Sequence, residues 1–254
     1  SRHEAVLNWL KTRHNWVVDP SWLSYSPGVV SGLATAILAL TEPGDRIVIQ
    51  PPVYPPFFAV GDQNDRVIVE NPLIEENGRY TMNLPELEEI FRSGVKFFVL
   101  CSPHNPVGRV WTRSELLALA ELFVKYEVTV LSDEIWSDLV FPGHKHTPLA
   151  SLSPEIADRV ITFMAPSKTF NLAGLYLSDV IIPNQGLRDR FTNQMERTAQ
   201  VHLNVFAPVA AEAAYREGQE WLGELLTYLT ENVAFLKSEL AKITPKIRVV
   251  QSEG

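Results

Sequence analysis

Hydrophobic positions along the chain follow two alternating rhythms. Short runs rich in Val, Ile and Phe occupy residues 46–50, 66–70, 96–101, 127–132, 159–164 and 179–183, bounded by turn formers, and read as β-strands. Between most of them, apolar residues recur every three or four positions. In the segment 111–126, Leu116, Leu119, Ala120 and Phe123 mark one helical face, and Thr112 with Glu115 has the spacing of a capping box. A further helix is predicted after the stretch SYSPGVV; it should bury Leu33, Ile37 and Leu38 and end at the turn Glu42-Pro43-Gly44-Asp45. A long one is predicted over 219–243, where Leu222, Leu225, Leu229, Val233, Leu236, Leu240 and Ile243 form a stripe expected to pack along one side. Strands alternating with helices predict an α/β fold with a doubly wound, mostly parallel sheet.

Composition narrows the class. With 254 residues, 46% of them hydrophobic and 20% charged, the chain can bury a substantial core. Its net charge of −8 argues against nucleic-acid and anionic-membrane surfaces, which need a basic excess. One cysteine, Cys101, excludes an intrachain disulfide framework and fits a reducing compartment, so the cytoplasm is the expected location. No run approaches the roughly 20 apolar residues that span a bilayer. The chain lacks an initiator Met and stops at VVQSEG just after a strand-like run, so it is expected to be part of a longer protein.

The candidate chemistry lies just beyond the predicted strands. SPHNPVG follows the run at 96–101, SDEIW overlaps the end of the run at 127–132, and APSKTF follows the run at 159–164. In open α/β sheets these strand ends face one crevice. SPGVV adds Gly28 and backbone amides at a helix start, where unpaired N–H groups favour a phosphate. An anion cradle, a lysine, a carboxylate and an amide are what a pyridoxal 5'-phosphate site requires. Each residue also has an ordinary explanation: Lys168 as a surface lysine, Asp133 as a helix cap, Asn105 and Tyr54 as turn and core residues, Gly28 as a tight turn. It is their joint occurrence that favours the cofactor. Cys101 reads as a buried strand thiol rather than a nucleophile. His144 and His146 lack a third ligand at metal-site spacing, so no metal is expected. Arg109, Trp111, Tyr25 and Trp22 read as packing or surface residues.

SPHNPVGRVWT, VTVLSDEIWSDLVFPG and APSKTFNLAGL resemble the motifs of fold-type I pyridoxal-phosphate enzymes, the class I/II aminotransferase superfamily. SPGVVSGL, IQPPVYPPFF, HNPVGRVWT and HKHTPLASLS resemble, more narrowly, the MalY/PatB-type cystathionine β-lyases, which break C–S bonds. The resemblance implies a cofactor-binding large domain over 1–217, a long interdomain helix over 218–244 and, at 245–254, the start of a small C-terminal domain that is otherwise absent. It makes Lys168 the Schiff-base lysine and proton acceptor, and Asp133 the partner of the pyridine nitrogen. Asn105 becomes the donor to the phenolic oxygen and Tyr54 the ring-stacking aromatic. Gly28, Val29, Val30 and Ser167 become the phosphate cradle. Two positions depart from the usual pattern: Tyr176 replaces a phosphate-binding cation, and Trp136 stands where many aminotransferases carry a tyrosine.

The implied reaction is α,β-elimination on L-cystathionine or a related cysteine S-conjugate, giving a thiol, pyruvate and ammonia. An amino-acid aminotransferase is the alternative, and a non-catalytic or regulatory protein that keeps the fold is a second. A homodimer with a shared active site is implied as well, and the arginine that binds the substrate carboxylate is expected outside this chain.

Overall fold

The computed structural model describes residues 1–244 and 246–254. In chain order its elements are α1 (Arg2–His14), β1 (Leu23–Ser26), α2 (Val29–Leu40), β2 (Arg46–Ile49), α3 (Pro56–Asp62), β3 (Val67–Glu70), β4 (Ile74–Glu76), β5 (Arg79–Thr81), α4 (Leu84–Arg92), β6 (Phe97–Cys101) and α5 (Arg113–Lys125). There follow β7 (Thr129–Asp133), α6 (Pro154–Ala157), β8 (Val160–Met164), α7 (Pro166–Thr169), β9 (Ser178–Ile181), α8 (Gln185–Arg197), α9 (Phe206–Glu217) and α10 (Gln219–Ile243).

Strands β3, β2, β6, β7 and β8 lie side by side and parallel. Next comes β9, antiparallel to β8, and then β1, antiparallel to β9, which completes a seven-stranded sheet. The expected doubly wound, mostly parallel sheet is present, and the predicted strands lie within two residues of β2, β3, β6, β7, β8 and β9.

Burial with a period of two divides the strand side chains between two cores. Ile47, Val99, Leu131, Ile161 and Phe163 pack under α2, α3 and α8, through residues such as Leu33, Phe57 and Phe191. Val48, Phe98, Leu100, Val130 and Val160 pack under α1, α4, α5 and α9, against Trp9, Phe91, Phe123 and Tyr215. Cover on both faces is why these strands read as nearly continuous hydrophobic runs. Each such Leu, Ile or Phe, once fully buried, contributes roughly 1.5–3 kcal/mol.

Local chemistry sets the element ends. At the start of α5, Thr112 Oγ1 accepts the Glu115 N–H at 3.2 Å while a Glu115 carboxylate oxygen accepts the Thr112 N–H at 2.8 Å, the predicted capping box. α2 stops at Leu40, and the following turn is closed by Asp45, which accepts the Glu42 N–H at 2.8 Å. The buried apolar face of α2 holds Leu33, Ile37 and Leu40, whereas Leu38 is only half-buried. A 3.6-residue period places Leu40, not Leu38, in line with Leu33 and Ile37.

α10 spans the predicted 219–243, but its stripe is not covered along its length. Leu222 is buried, Leu225, Leu229, Val233 and Leu240 are half-buried, and Leu236 and Ile243 are exposed. Leu222, in the first turn, is the one stripe residue that is fully covered. Three further features have only short sequence signals. Helix α1 has apolar pairs at Ala5, Val6 and Trp9, Leu10; β1 is a short edge strand without β-branched residues; β4 and β5 are joined by Asn77-Gly78, both at positive φ, the usual chemistry of a tight hairpin.

Pro245 of the segment 245–254 lies outside the described residues, and residues 246–254 form no strand. Their end lies against the large sheet domain. The Gln251 N–H donates to Gly78 O, the Phe141 N–H to Glu253 O and the Glu253 N–H to Gly108 O. Glu253 is buried and binds Arg109, which has no exposed surface.

Candidate active site

The sheet changes winding direction beside β2: β3 follows it on one flank and β6 pairs on the other. A crevice opens at the carboxyl ends of strands at such a point. Here it is a cavity of about 380 Å³ lined by Gly28, Val29, Val30, Tyr54, Asn105, Asp133, Trp136, Ser167 and Lys168, so every site residue expected from the sequence faces one space. Ser31, Cys101, Ile135 and Tyr176 line it too.

Each element delivers one kind of group. β1 leads into α2 through Gly28, whose φ of +94° is a conformation only glycine adopts without strain. Gly28 caps α2 with no side-chain bond, so the first-turn amides of Val29, Val30 and Ser31 have no acceptor among the described residues and remain to bind an anion. Tyr176 Cδ1 would stand 3.9 Å from a Cβ at Gly28, making Tyr176 a side wall of that cradle. Tyr54 comes from the β2–α3 connection and meets Phe57 edge-on at 5.9 Å. Asn105 follows β6; its backbone N–H donates to Cys101 Sγ at 3.4 Å, which seats the loop on the end of the strand. That contact gives Cys101 a positioning role its sequence did not reveal. Burial pushes the thiol far above its ordinary range, so it stays protonated.

Asp133 is the last residue of β7 and is 4% exposed. One carboxylate oxygen accepts the Ile135 N–H at 3.0 Å, and the other has no hydrogen-bond partner among the described residues. Burial raises its pKa from 3.8 to about 7; the Ile135 N–H opposes the rise, the Glu134 charge adds to it, and the Lys168 charge opposes it. Such a carboxylate calls for a cation. Lys168 sits in α7, one residue before its end, with its Nζ 5.4 Å from the Trp136 ring centroid and no ion pair or hydrogen bond among the described residues. The lining therefore holds one carboxylate and one lysine, and no arginine.

The residues set aside as packing are in packing roles. Arg109 donates to Glu253 at 2.9 Å, to both Glu115 oxygens at 2.9 Å and to Tyr80 O, and lies 4.7 Å from the Trp111 ring centroid. Tyr25 donates its hydroxyl to Val201 O at 2.6 Å. His144 is exposed, whereas His146 is buried, with Nε2 2.8 Å from Glu134 Oε2. Among the described residues, no three His, Cys, Asp or Glu side chains are grouped to hold a metal ion, and no helix is long and apolar enough to cross a membrane.

Similarity to known proteins follows the same lines. Residues 2–254 match the family described as aminotransferase class I and II. Cystathionine beta-lyase PatB of Bacillus subtilis is 49% identical over 245 residues, covering 94% of this chain and 63% of that protein. Cystalysin from Treponema denticola, solved with pyridoxal 5'-phosphate, superposes with a TM-score of 0.96 at 36% identity, over 99% of this chain and 65% of its own. The C–S lyase of Staphylococcus hominis, also solved with the cofactor, gives 0.89 at 33% identity, over 95% and 61%. The chain thus spans a little under two thirds of the length of these relatives. With a match over almost its whole length and the motif loops gathered on one crevice, the chain belongs to the class I and II aminotransferase family.

Proposed function

We propose that this chain carries the cofactor-binding part of a pyridoxal-phosphate-dependent carbon–sulfur β-lyase acting on L-cystathionine or related cysteine S-conjugates. One observation carries the chemistry: a buried carboxylate with an open oxygen and a lysine, both without a partner cation or anion among the described residues, line the same cavity as the amides of a helix start that have no acceptor there. The donor set fits the cofactor part by part. The Val29 and Val30 amides and the Ser167 hydroxyl would take the phosphate, Tyr54 would cover a ring face, Asn105 would donate to the phenolic oxygen and Asp133 would hold the ring nitrogen protonated. Trp136 would border the ring on the Lys168 side. When bound, the cofactor supplies an aldehyde that captures amines and a cationic ring that draws electrons from the substrate Cα.

The chain's own groups do the rest. Lys168 Nζ would anchor the cofactor and, when free of it, would be the base that accepts the substrate Cα proton. Asp133 would place its carboxylate at the ring nitrogen, where the ring cation would favour its ionised form and the buried setting would strengthen the charge-assisted bond. Breaking Cα–H and Cβ–S releases the thiol, and water converts the remaining three-carbon fragment to pyruvate and ammonia. The choice of elimination over transamination is supported by the relatives named for C–S cleavage. The family description favours an aminotransferase as the second reading.

A homodimer is part of the same proposal. Val205, Phe206 and Val209 expose 75%, 72% and 69% of their surface beside the turn that carries Tyr176, to which Asn204 bonds through Leu175 O. A second copy that covers this patch would stand at the mouth of the cavity. A lone, buried cysteine is in keeping with a reducing cytoplasm. The test is pyruvate release from L-cystathionine by the full-length, cofactor-loaded protein with no keto acid present. Sustained release supports the lyase; a single spectral change that stops until a keto acid is added supports the aminotransferase.

A further inference from the structure

Behind the cavity, a buried polar chain runs from the residue after Asp133 to the residue after Lys168. Glu134 Oε1 accepts from Ser132 Oγ at 2.8 Å and from the Leu149 N–H at 3.1 Å, while Glu134 Oε2 lies 2.8 Å from His146 Nε2. The His146 ring meets the His14 ring edge-on, 5.6 Å between centroids. His14 Nε2 is 2.9 Å from Asp138 Oδ1, Trp9 Nε1 donates to the same oxygen at 3.1 Å, and Thr169 Oγ1 donates to Asp138 Oδ2 at 3.0 Å. Glu134, His146, His14, Asp138 and Thr169 are all buried.

Asp138 is the hub. Burial alone would raise its pKa, but the bond and charge of His14, the Thr169 hydroxyl and Arg13 together hold it below the ordinary carboxylate value. An ionised carboxylate only accepts, so the Thr169 hydroxyl must donate to it, which fixes the Thr169 side chain. Lys168 needs such support because α7 has four residues, too few to be stable alone, and Lys168 has no partner of its own among the described residues. On the far side of Thr169, Phe170 is packed edge-on against Trp9 at 5.7 Å and against Tyr215 at 6.2 Å.

We propose that Asp138 is the positioning residue for Lys168: through Thr169 Oγ1 it braces the lysine turn against α1, which it holds by Trp9 and His14. This role rests on the cofactor-anchoring lysine proposed above. A small rotation of α7 would swing Nζ, at the end of a four-carbon stem, away from the cofactor aldehyde and the substrate Cα, and misplacement on the ångström scale costs large factors in rate.

The experiment uses the full-length protein freed of cofactor, with Thr169→Val, Thr169→Ser and Asp138→Asn. Pyridoxal phosphate is added and covalent capture is followed by borohydride quenching and mass measurement; kcat and KM for thiol release and the melting midpoint are measured alongside. Thr169→Val keeps the shape and removes the hydroxyl. It should slow capture and lower kcat on the order of tenfold each, with KM within about twofold, as expected for loss of a bond to a charged group. Thr169→Ser should restore both to within about twofold, and Asp138→Asn, whose amide can still bond the Thr169 hydroxyl but without the charge, should fall between Thr169→Val and the wild type. Wild-type capture and kcat in Thr169→Val would overturn the proposal, as would losses that follow the melting midpoint and are not restored by Ser. If the wild type captures the cofactor but releases no thiol, the lyase reading fails, and the capture rates still decide the role of Asp138.

Discussion

Substituting Asp133 by Asn should make the cofactor-free protein more stable, by an amount that depends on pH. The Asp133 carboxyl has its pKa raised from 3.8 to about 7 in the fold, chiefly by burial. Between these values the folded state holds a proton that the unfolded state has released, so stability falls as pH rises through that window. Below about pH 4 both states are protonated and the effect vanishes; above about pH 7 it is complete. At about 1.4 kcal/mol per pH unit, the ionised, unpaired carboxylate costs about 4 kcal/mol. His104, whose pKa burial lowers to about 4, contributes a slope of the opposite sign, because its folded form binds fewer protons below its ordinary value of 6.5. Both proteins carry His104, so it cancels in the difference. Urea unfolding followed by tryptophan fluorescence from pH 4 to pH 8.5 measures that difference. Wild type and Asp133→Asn should converge at the acid end, and the variant should lead by about 4 kcal/mol at the alkaline end. Adding pyridoxal phosphate should reverse the order, since a ring cation would pair with the carboxylate but not with the amide. A difference that stays constant with pH would refute the argument, for it would mean that water reaches the carboxylate and burial does not set its pKa.

Replacing Lys168 by Ala should abolish borohydride-stable attachment of the cofactor and, in the full-length protein, reduce pyruvate release to background, as read by mass spectrometry and a coupled assay. Tyr176→Arg should tighten cofactor binding about five- to tenfold, because a guanidinium gives the phosphate a charge-assisted bond in place of a neutral one; unchanged or weaker binding by equilibrium dialysis would remove Tyr176 from the phosphate cradle. Arg109→Met should destabilise the fold by about 3–5 kcal/mol in urea unfolding, because it leaves the buried Glu253 carboxylate with only the Val110 N–H and the more exposed Arg79 at 3.7 Å in place of a fully buried guanidinium. In Thr112→Ala the lost cap of α5 should lower stability by about 1 kcal/mol in the same assay.

The pattern of the chain determined the elements and their class. The run 160–164 is hydrophobic at every position but Thr162 because β8 is covered on both faces, and that burial is written directly into residue type. The capping box at Thr112 and the motifs carrying Asn105, Asp133 and Lys168 were legible for the same reason: local chemistry at a strand end or helix start depends on neighbours in sequence. What the sequence left open depends on neighbours in space. The stripe on α10 has helical spacing whether or not anything packs against it, so its cover beyond Leu222 could not be read in advance. The order of strands across the sheet, the antiparallel β1 beside β9 and the burial that lifts the Asp133 pKa arise only when distant segments meet. So does the bond between Asp138 and Thr169, 31 residues apart. Periodicity records which side of an element avoids water; which surface excludes that water, and which charges then face one another without it, is decided by tertiary packing alone.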